Sequence, residues 1–490
     1  MKTTARTTAL LLSLLLAGGT VCACGDTQSS SDAQKENGTA ALTDTAAEEQ
    51  VDPFASARAA FDALPDHDLG GRDFVITAQA GVGNSEKEIF IETATGDVIE
   101  DAVYRRNLAV NEAFNCKIVL SAQSDVNSAV KKAVTAGDDS IQLAFPNLAG
   151  GGSLAQAGVL RNFLDFDEFD LSAPWWDQGT ANLKIGGKVY FMMGDVNILD
   201  NDVTYILLFN KKLIGDADLE EPYQLVRDGK WTIDVFGSMC RDITADIDGD
   251  GAFTEKDRYG YVTTMAGPNT FFYGSEMKYV ELDGSGAPYL ITDTEKATDV
   301  LRRVVGIVKE NNTCYQPSDP AVGKPIFMED RALFYGEVLS YIINLRAMET
   351  AFGVLPIPKY DEAQKNYYTY CENNASTVVI PNLGAEPEIN AAVLEALAIQ
   401  SHINVTPAYY EVALERKYTR DEESTEMLDI ALANRVYDIG RVYTNLGTSD
   451  IFSNLANKSS LDFVSSYAKK EKSAQKALDK IFTAFSENDA

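Results

Sequence analysis

DFVIT at Asp73 to Thr77, KIVL at Lys117 to Leu120 and IQLAF at Ile141 to Phe145 are short runs of β-branched, aliphatic and aromatic residues, and the segments between them have helical spacing. In the second of those segments Val126, Val130, Ala133 and Val134 fall at i, i+4, i+7 and i+8, one apolar stripe that Gly137 brings to an end. Strand, helix, strand, helix, strand predicts a parallel sheet with right-handed crossovers, in which ligands bind where the carboxyl ends of the strands open into loops. Those openings are 78–84, 121–124 and 146–152.

Beyond this unit the pattern changes. KIGGKVYFMMGDV (Lys184 to Val196) reads as a hairpin turning at Gly186-Gly187, followed by a polar run from Asn197 to Asp202 and an apolar strand from Tyr205 to Phe209. Trp231 to Ile243 has helical spacing, and Thr292 to Asn311 opens on a capping Thr or Asp and carries Val300, Leu301, Val304, Val305 and Val308 on one face. A second α/β unit is expected here. Past Pro381 the chain reads as almost entirely helical, in segments Ala385 to Ile403, Ala408 to Tyr418, Thr425 to Val442 and Ser466 to Phe485.

The 490 residues are 45% hydrophobic, enough for two or three domain-sized pieces. With 73 acidic against 42 basic residues the net charge is −31, which would repel phosphate backbones over most of the surface and argues against nucleic acid as a partner. Only two histidines occur, His67 and His402, and neither GxSxG, HExxH, GxGxxG nor GxxxxGK[ST] is present. Histidine-dependent catalysis and nucleotide binding are therefore not expected. Paired carboxylates, the signature of a glycosidase, carry no information in a chain this acidic.

The amino terminus sets the compartment. Lys2 and Arg6 precede an apolar run, Ala9 to Ala17, too short to span a bilayer, so 1–23 reads as a secretion signal. Val21-Cys22-Ala23-Cys24 resembles the lipobox of bacterial lipoproteins, with Cys24 as the lipidated residue. Cleavage there leaves 40 basic against 73 acidic residues, a mature charge of −33. From Gly25 to about Asp52 there is little to bury, so 24–55 reads as a flexible tether holding the body near the membrane but not in it. Four cysteines remain, Cys116, Cys240, Cys314 and Cys371; export permits a disulfide, and buried free thiols are the other reading.

The sharpest local motif is DIDGDGAFTEKD, Asp246 to Asp257. Numbered as a twelve-residue calcium loop, it places Asp246, Asp248 and Asp250 at positions 1, 3 and 5 and Gly251 at the sharp turn. The carbonyl of Ala252 falls at 7, Thr254 at 9 and Asp257 at 12, where Glu is usual. A hard dication requires six to eight oxygens, and alternating acids aim their carboxylates inward, so a structural Ca2+ is expected here.

Together with that loop, APWWDQGTANLKIGGKVYFMMGDVN (Ala173 to Asn197), LFNKK (Leu208 to Lys212), KWTIDVF (Lys230 to Phe236) and FGVLPIPKYDEAQ (Phe352 to Gln364) resemble, in their order, an extracellular solute-binding protein. The resemblance is to the carbohydrate-type family that includes maltose-binding protein, lipoprotein components of ABC importers. It implies a two-lobed α/β, periplasmic-binding-protein-like fold with a hinge and an interlobe ligand cleft, and a helix-rich C-terminal part. It places 72–201 in lobe one, joined by about 376–445, and 202–370 in lobe two, joined by about 446–490. Asn197 to Asp202 would be a hinge strand. The implied function is that of a monomeric, non-enzymatic receptor on the extracellular face of the cytoplasmic membrane. It would capture a sugar or oligosaccharide and deliver it to the membrane subunits of an ABC transporter.

Sugars offer CH faces to aromatic rings and hydroxyls to amides and carboxylates, so aromatic residues beside Asn, Asp or Glu are the ligand candidates. Asn147, Trp175, Trp176, Asn201 and Asp202 qualify in lobe one and the crossing, and Asn269, Phe272, Tyr335 and Glu337 in lobe two. Two alternatives stay open on the residues alone: a secreted glycan-active enzyme of glycoside hydrolase type, and a receptor for peptides or another small solute.

Overall fold

The computed structural model describes residues 52–487 apart from 292, 318, 346, 385 and 415–421. The secretion signal, Cys24 and nearly all of the tether lie outside the described residues.

Helix α1 (Ala55–Asp62) precedes β1 (Asp73–Gln79), α2 (Val98–Phe114), β2 (Lys117–Gln123), α3 (Val126–Ala136), β3 (Leu143–Phe145) and α4 (Leu148–Gln156). The three strands form one parallel sheet in the order β2-β1-β3, as the alternating pattern requires. Local chemistry fixes the helix ends. Asp97 caps α2 by accepting from the N–H groups of Ile99 and Glu100, Asp125 caps α3, and Gly137 closes α3 in the left-handed conformation at φ +64°.

The chain then enters the second sheet through α5 (Leu199–Asp202) and β4 (Tyr205–Asn210). It continues through α6 (Lys211–Asp216), α7 (Pro222–Arg227), α8 (Ile233–Ile243), β5 (Tyr259–Thr263), α9 (Pro268–Gly274), β6 (Val280–Leu282) and β7 (Pro288–Leu290). After α10 (Thr294–Val308) come β8 (Cys314–Tyr315), α11 (Pro320–Met328), β9 (Ala332–Val338) and β10 (Phe352–Leu355). Five of these strands form a mixed sheet in the order β10-β4-β9-β5-β8, with β5 parallel to β8 and β9, and β4 antiparallel to β9 and β10. Hence the start of β4 lies at the same edge as the ends of β5 and β9.

Strand β11 (Thr369–Tyr370) begins the return. It leads to α12 (Pro387–Leu414), α13 (Glu422–Ala433), β12 (Arg435–Val436), α14 (Ile439–Val442), α15 (Ile451–Asn457) and α16 (Phe463–Glu487). Residues Ala391 to Leu394 and Ala396 to Ile399 of α12 are buried on every side and join the core of the first sheet with Phe74, Ile118 and Leu143. Farther along, Val405, Ala408 and Tyr409 pack instead with Ile206, Leu208 and Val354 of the second sheet. Among the described residues no helix is long and apolar enough to cross a membrane, and Cys116, Cys240, Cys314 and Cys371 are free thiols.

Several expectations are corrected. Gly186 and Gly187 do turn, at φ +59° and +80°, and Lys188 N–H returns to Ile185 O at 3.0 Å, but the arms are not paired strands. They bridge distant segments instead, Met192 to Val378 and Gly194 to Trp176. The polar run 197–202 is not a strand, because its end winds into the single turn of α5. Helix α12 continues through Pro407, merging two expected helices, whereas the expected helix from Thr425 to Val442 is broken by β12. Of the segment expected to return to lobe one, 376–445, α13 packs against β10 of the second sheet.

Candidate functional site between the two sheets

Among the described residues, besides α12, which passes from the core of the first sheet to that of the second, three stretches of chain run between the sheets. The first is 197–204, through α5. The second starts at β11, where Cys371 bridges Thr204, and runs along the first sheet, with Ser376 against Asn147 and Val379 against Ala144. The third is β12 with α14, where Arg435 and Val436 pair in parallel with Thr369 and Tyr370.

At this convergence the edge of the second sheet carries a column of rings. Tyr205, which opens β4, stacks on Tyr370 with centroids 4.9 Å apart, and Tyr370 packs at 4.9 Å on Tyr273 of α9. The Arg441 guanidinium lies 4.5 Å above the Tyr370 ring and pairs with Glu372. Burial works against the Arg441 charge, yet Tyr370 and Glu372 hold it firmly protonated. Glu337, at the end of β9, is 5% exposed and accepts from Val338 N–H at 2.8 Å. Burial, reinforced by the negative charge of Glu372, pushes its carboxyl up to about 7. A polar depression of about 490 Å³ opens beside this cluster, walled among others by Asn269, Glu372, Arg441, Ser453, Asn457 and Lys458. The amides, carboxylates and cations that wall this space can pair with the hydroxyls of a polyhydroxylated solute, while the ring column, itself buried, supports Arg441 from beneath through Tyr370.

Of the residues singled out in the sequence, Asn269 and Glu337 lie at this edge. Asn269 borders the depression and accepts from Ser453 N–H at 3.2 Å. Asn147 is exposed at the end of β3, where its side chain caps α4 by accepting from Gly150 N–H at 2.8 Å. Asn201 and Asp202 serve the crossing: Asn201 accepts from Arg435 at 2.7 Å, and Asp202 accepts from Tyr409 at 2.9 Å and from Asn84 at 2.5 Å.

The aromatic candidates are core residues. Trp175 and Trp176 are 5% and 2% exposed, and both indole N–H groups donate to Glu395, at 2.8 and 2.9 Å. Phe272 stacks on Tyr279 at 4.6 Å and is fully covered, and Tyr335 stacks on Phe327. Rings so enclosed offer no face to a solute.

The acidic loop is partly as expected. Carboxylate oxygens of Asp246, Asp248 and Asp250 lie within 4.8 Å of one another. Asp246 accepts from Gly249 and Gly251 N–H, which curls the loop around that cluster. Thr254 and Asp257 are turned to the loop itself: the Asp257 carboxylate accepts from Ile247 N–H at 3.0 Å and Thr254 N–H at 2.8 Å. The donor set that converges is therefore three carboxylates, with the carbonyl of Ala252 following in the chain.

Sequence reasoning missed Glu372, Arg435 and Arg441. YYTYCENN (Tyr367 to Asn374) does combine rings, a carboxylate and amides, the chemistry sought elsewhere, whereas Arg441 sits inside an apparent helix with nothing to mark it.

No protein-family model matches the sequence, and none of the curated proteins matches it. Solved structures do resemble it. UgpB from Mycobacterium tuberculosis, in complex with glycerophosphocholine, is 16% identical with a TM-score of 0.55, over 84% of this chain and 99% of that one. A cyclo/maltodextrin-binding protein complexed with maltotetraose is 13% identical with a TM-score of 0.53, over 85% and 96%. An ABC substrate-binding protein from Listeria monocytogenes, in complex with cycloalternan, is 13% identical with a TM-score of 0.50, over 85% and 99%. Two sheets of these topologies, three connections between them and similarity over more than four-fifths of the chain lead to one architecture: the chain has the two-lobed, periplasmic-binding-protein-like fold of ABC substrate-binding proteins.

Proposed function

We propose that this chain is an extracellular receptor, anchored through a lipid on Cys24, that captures a sugar or oligosaccharide between its lobes and delivers it to an ABC importer. The observation that carries the reading is the polar depression walled by Asn269, Glu372, Arg441, Asn457 and Lys458, backed by the buried Tyr205–Tyr370–Tyr273 column and set at the sheet edge where three connections converge. Neighbours of the same fold are in complex with maltotetraose and cycloalternan, which supports a carbohydrate. A solute that touches both lobes at once favours the closed arrangement over the open one. The polar depression, about 490 Å³, falls in the range of small-molecule pockets.

The test is a thermal-shift and calorimetry screen of the mature chain, produced without its signal, against mono- and oligosaccharides, amino acids, peptides and glycerophosphodiesters. A solute at a hundredfold excess over its dissociation constant stabilises the fold by about 2.7 kcal/mol. A sugar recovered unchanged after raising the melting temperature is the expected result. Stabilisation by peptides alone would remove the carbohydrate assignment, and consumption of the sugar would mean an enzyme.

The loop from Asp246 to Asp257 is proposed to take Ca2+, with Asp246, Asp248, Asp250 and the Ala252 carbonyl as protein donors and water completing the shell. Millimolar Ca2+ is expected to raise the melting temperature by roughly 2 °C or more over a chelator-treated sample. Asp248→Asn should abolish the difference. Coincident melting curves for the unsubstituted protein would rule the site out.

A further inference from the structure

Glu88 lies in the loop between β1 and α2, outside the solute site, and is fully buried. Its Oε2 accepts three hydrogen bonds: from Ile198 N–H at 2.7 Å, from Leu199 N–H at 3.0 Å and from the Ser376 hydroxyl at 3.0 Å. The first two donors belong to the first connection between the lobes and the third to the second connection. Asn197 also donates to Ser376, at 3.0 Å, so the two connections are tied to each other as well as to Glu88.

The other oxygen, Oε1, is buried with no hydrogen-bond partner. Arg106 of α2 favours charge on Glu88 only at a distance, because its donors are directed elsewhere. Its Nη2 goes to the carbonyl oxygens of Glu88 and Ile89, at 2.8 and 3.0 Å, Nε to Asn107 and Nη1 to Ser401 of α12. The charged groups that act on Glu88 from α5 are Asp200 and Asp202, which add repulsion; the second connection contributes the uncharged Ser376 hydroxyl. A charged carboxylate with one oxygen unpaired is costly to keep dry.

We propose that Glu88 is a positioning residue for the interlobe site, a latch that holds both connections to the first lobe when protonated and loosens them when ionised. Loosening admits water to the carboxylate, and that solvated state binds protons less tightly than the buried one. Burial pushes the latched Glu88 carboxyl up to about 7, against an ordinary value near 4.5. The sign follows from linkage. The latch has its full strength below the ordinary value, weakens as pH rises from there to about 7, and levels off above it, where both states are ionised. The consequence for solute capture rests on the receptor reading above; the latch itself does not.

Hydrogen exchange at Ile198 and Leu199 tests it without any solute. After correction for intrinsic rates, protection of these amides is expected to fall between about pH 5 and pH 7, by up to tenfold per unit, and then to level. Asp200 titrates in the same range, so the comparison with Glu88→Gln is needed. That variant, always neutral, should lose the fall seen in the parent, while protection in α10 is the same in both and excludes global unfolding. Ser376→Ala removes a donor that stabilises the ionised latch. It should carry the fall to higher pH before it levels, and it serves if the first variant fails to fold. Protection that is flat in pH, or that falls identically in the parent and both variants, would overturn the inference. Exchange that behaves as expected in a protein that binds no solute would leave the latch standing and remove the receptor reading instead.

Discussion

Arg441→Ala is expected to lower solute affinity by about a hundredfold, on the order of 3 kcal/mol, the range of a charged hot spot in a desolvated site. The guanidinium covers the Tyr370 ring, pairs with Glu372 and has a buried Nε with no hydrogen-bond partner. Its loss opens the ring column to water and leaves Glu372 and Glu337 to repel each other without that cation. Part of the effect will be structural, so the double variant Arg441→Ala with Glu372→Gln is the decisive comparison. Removing the stranded charge should recover stability in a urea melt but not the affinity measured by calorimetry. An unchanged dissociation constant in the single variant would move the solute site elsewhere.

Arg435→Met is expected to cost about 3–5 kcal/mol of stability, because it strands two carboxylates rather than merely deleting a contact. Arg435 pairs with Asp177 at 2.7 Å and with Asp200 at 3.1 Å, and donates to Asn201 at 2.7 Å. Burial already pushes Asp200 up to about 7, with Arg435 pulling the other way. Without that cation the carboxyl rises further above its unfolded value. Well below 7 Asp200 is neutral in both folded proteins, so its share of the penalty is absent there and grows as pH rises above 7. Urea melts at pH 5.5 and pH 8.5 measure it, and the deficit should be larger at the higher pH. A deficit below about 1 kcal/mol at both would mean that water or neighbouring donors replace the arginine.

These two residues also mark where sequence reading stops. The strands β1 and β2 and the helices α3, α8 and α10 are legible because their cause is local, namely apolar periodicity bounded by Asp, Thr or Gly at the caps. The arms beside Gly186-Gly187 have the same local signature, but their hydrogen bonds go to Val378 and Trp175, which no short window of sequence contains. Likewise 197–202 is polar like a solvated strand, yet most of it is buried, since Glu88, Tyr409 and Arg435 satisfy it from far along the chain. Pro407 gives a correct local warning against a continuous helix that tertiary packing overrides. In the site, Glu337 lies at the end of a strand and Asn269 follows one, so both could be found by position, whereas Glu372 and Arg441 acquire meaning only when β11 and β12 pair.

The position of α12 has a consequence for biosynthesis. The strands of the first sheet have all been made once Phe145 is added, yet the core of that sheet includes Ala391 to Ile399, and α2 lies open until α12 covers it. From residue 114, the end of α2, to residue 414, the end of α12, the ribosome adds 414 − 114 = 300 residues. At roughly 5–20 residues per second that takes about 15–60 s. Throughout that interval α2 lacks the helix that covers it, although Phe163, Trp175 and Val189 of the same core are made earlier, so whatever factor first receives the nascent chain meets this unit with part of its apolar face uncovered.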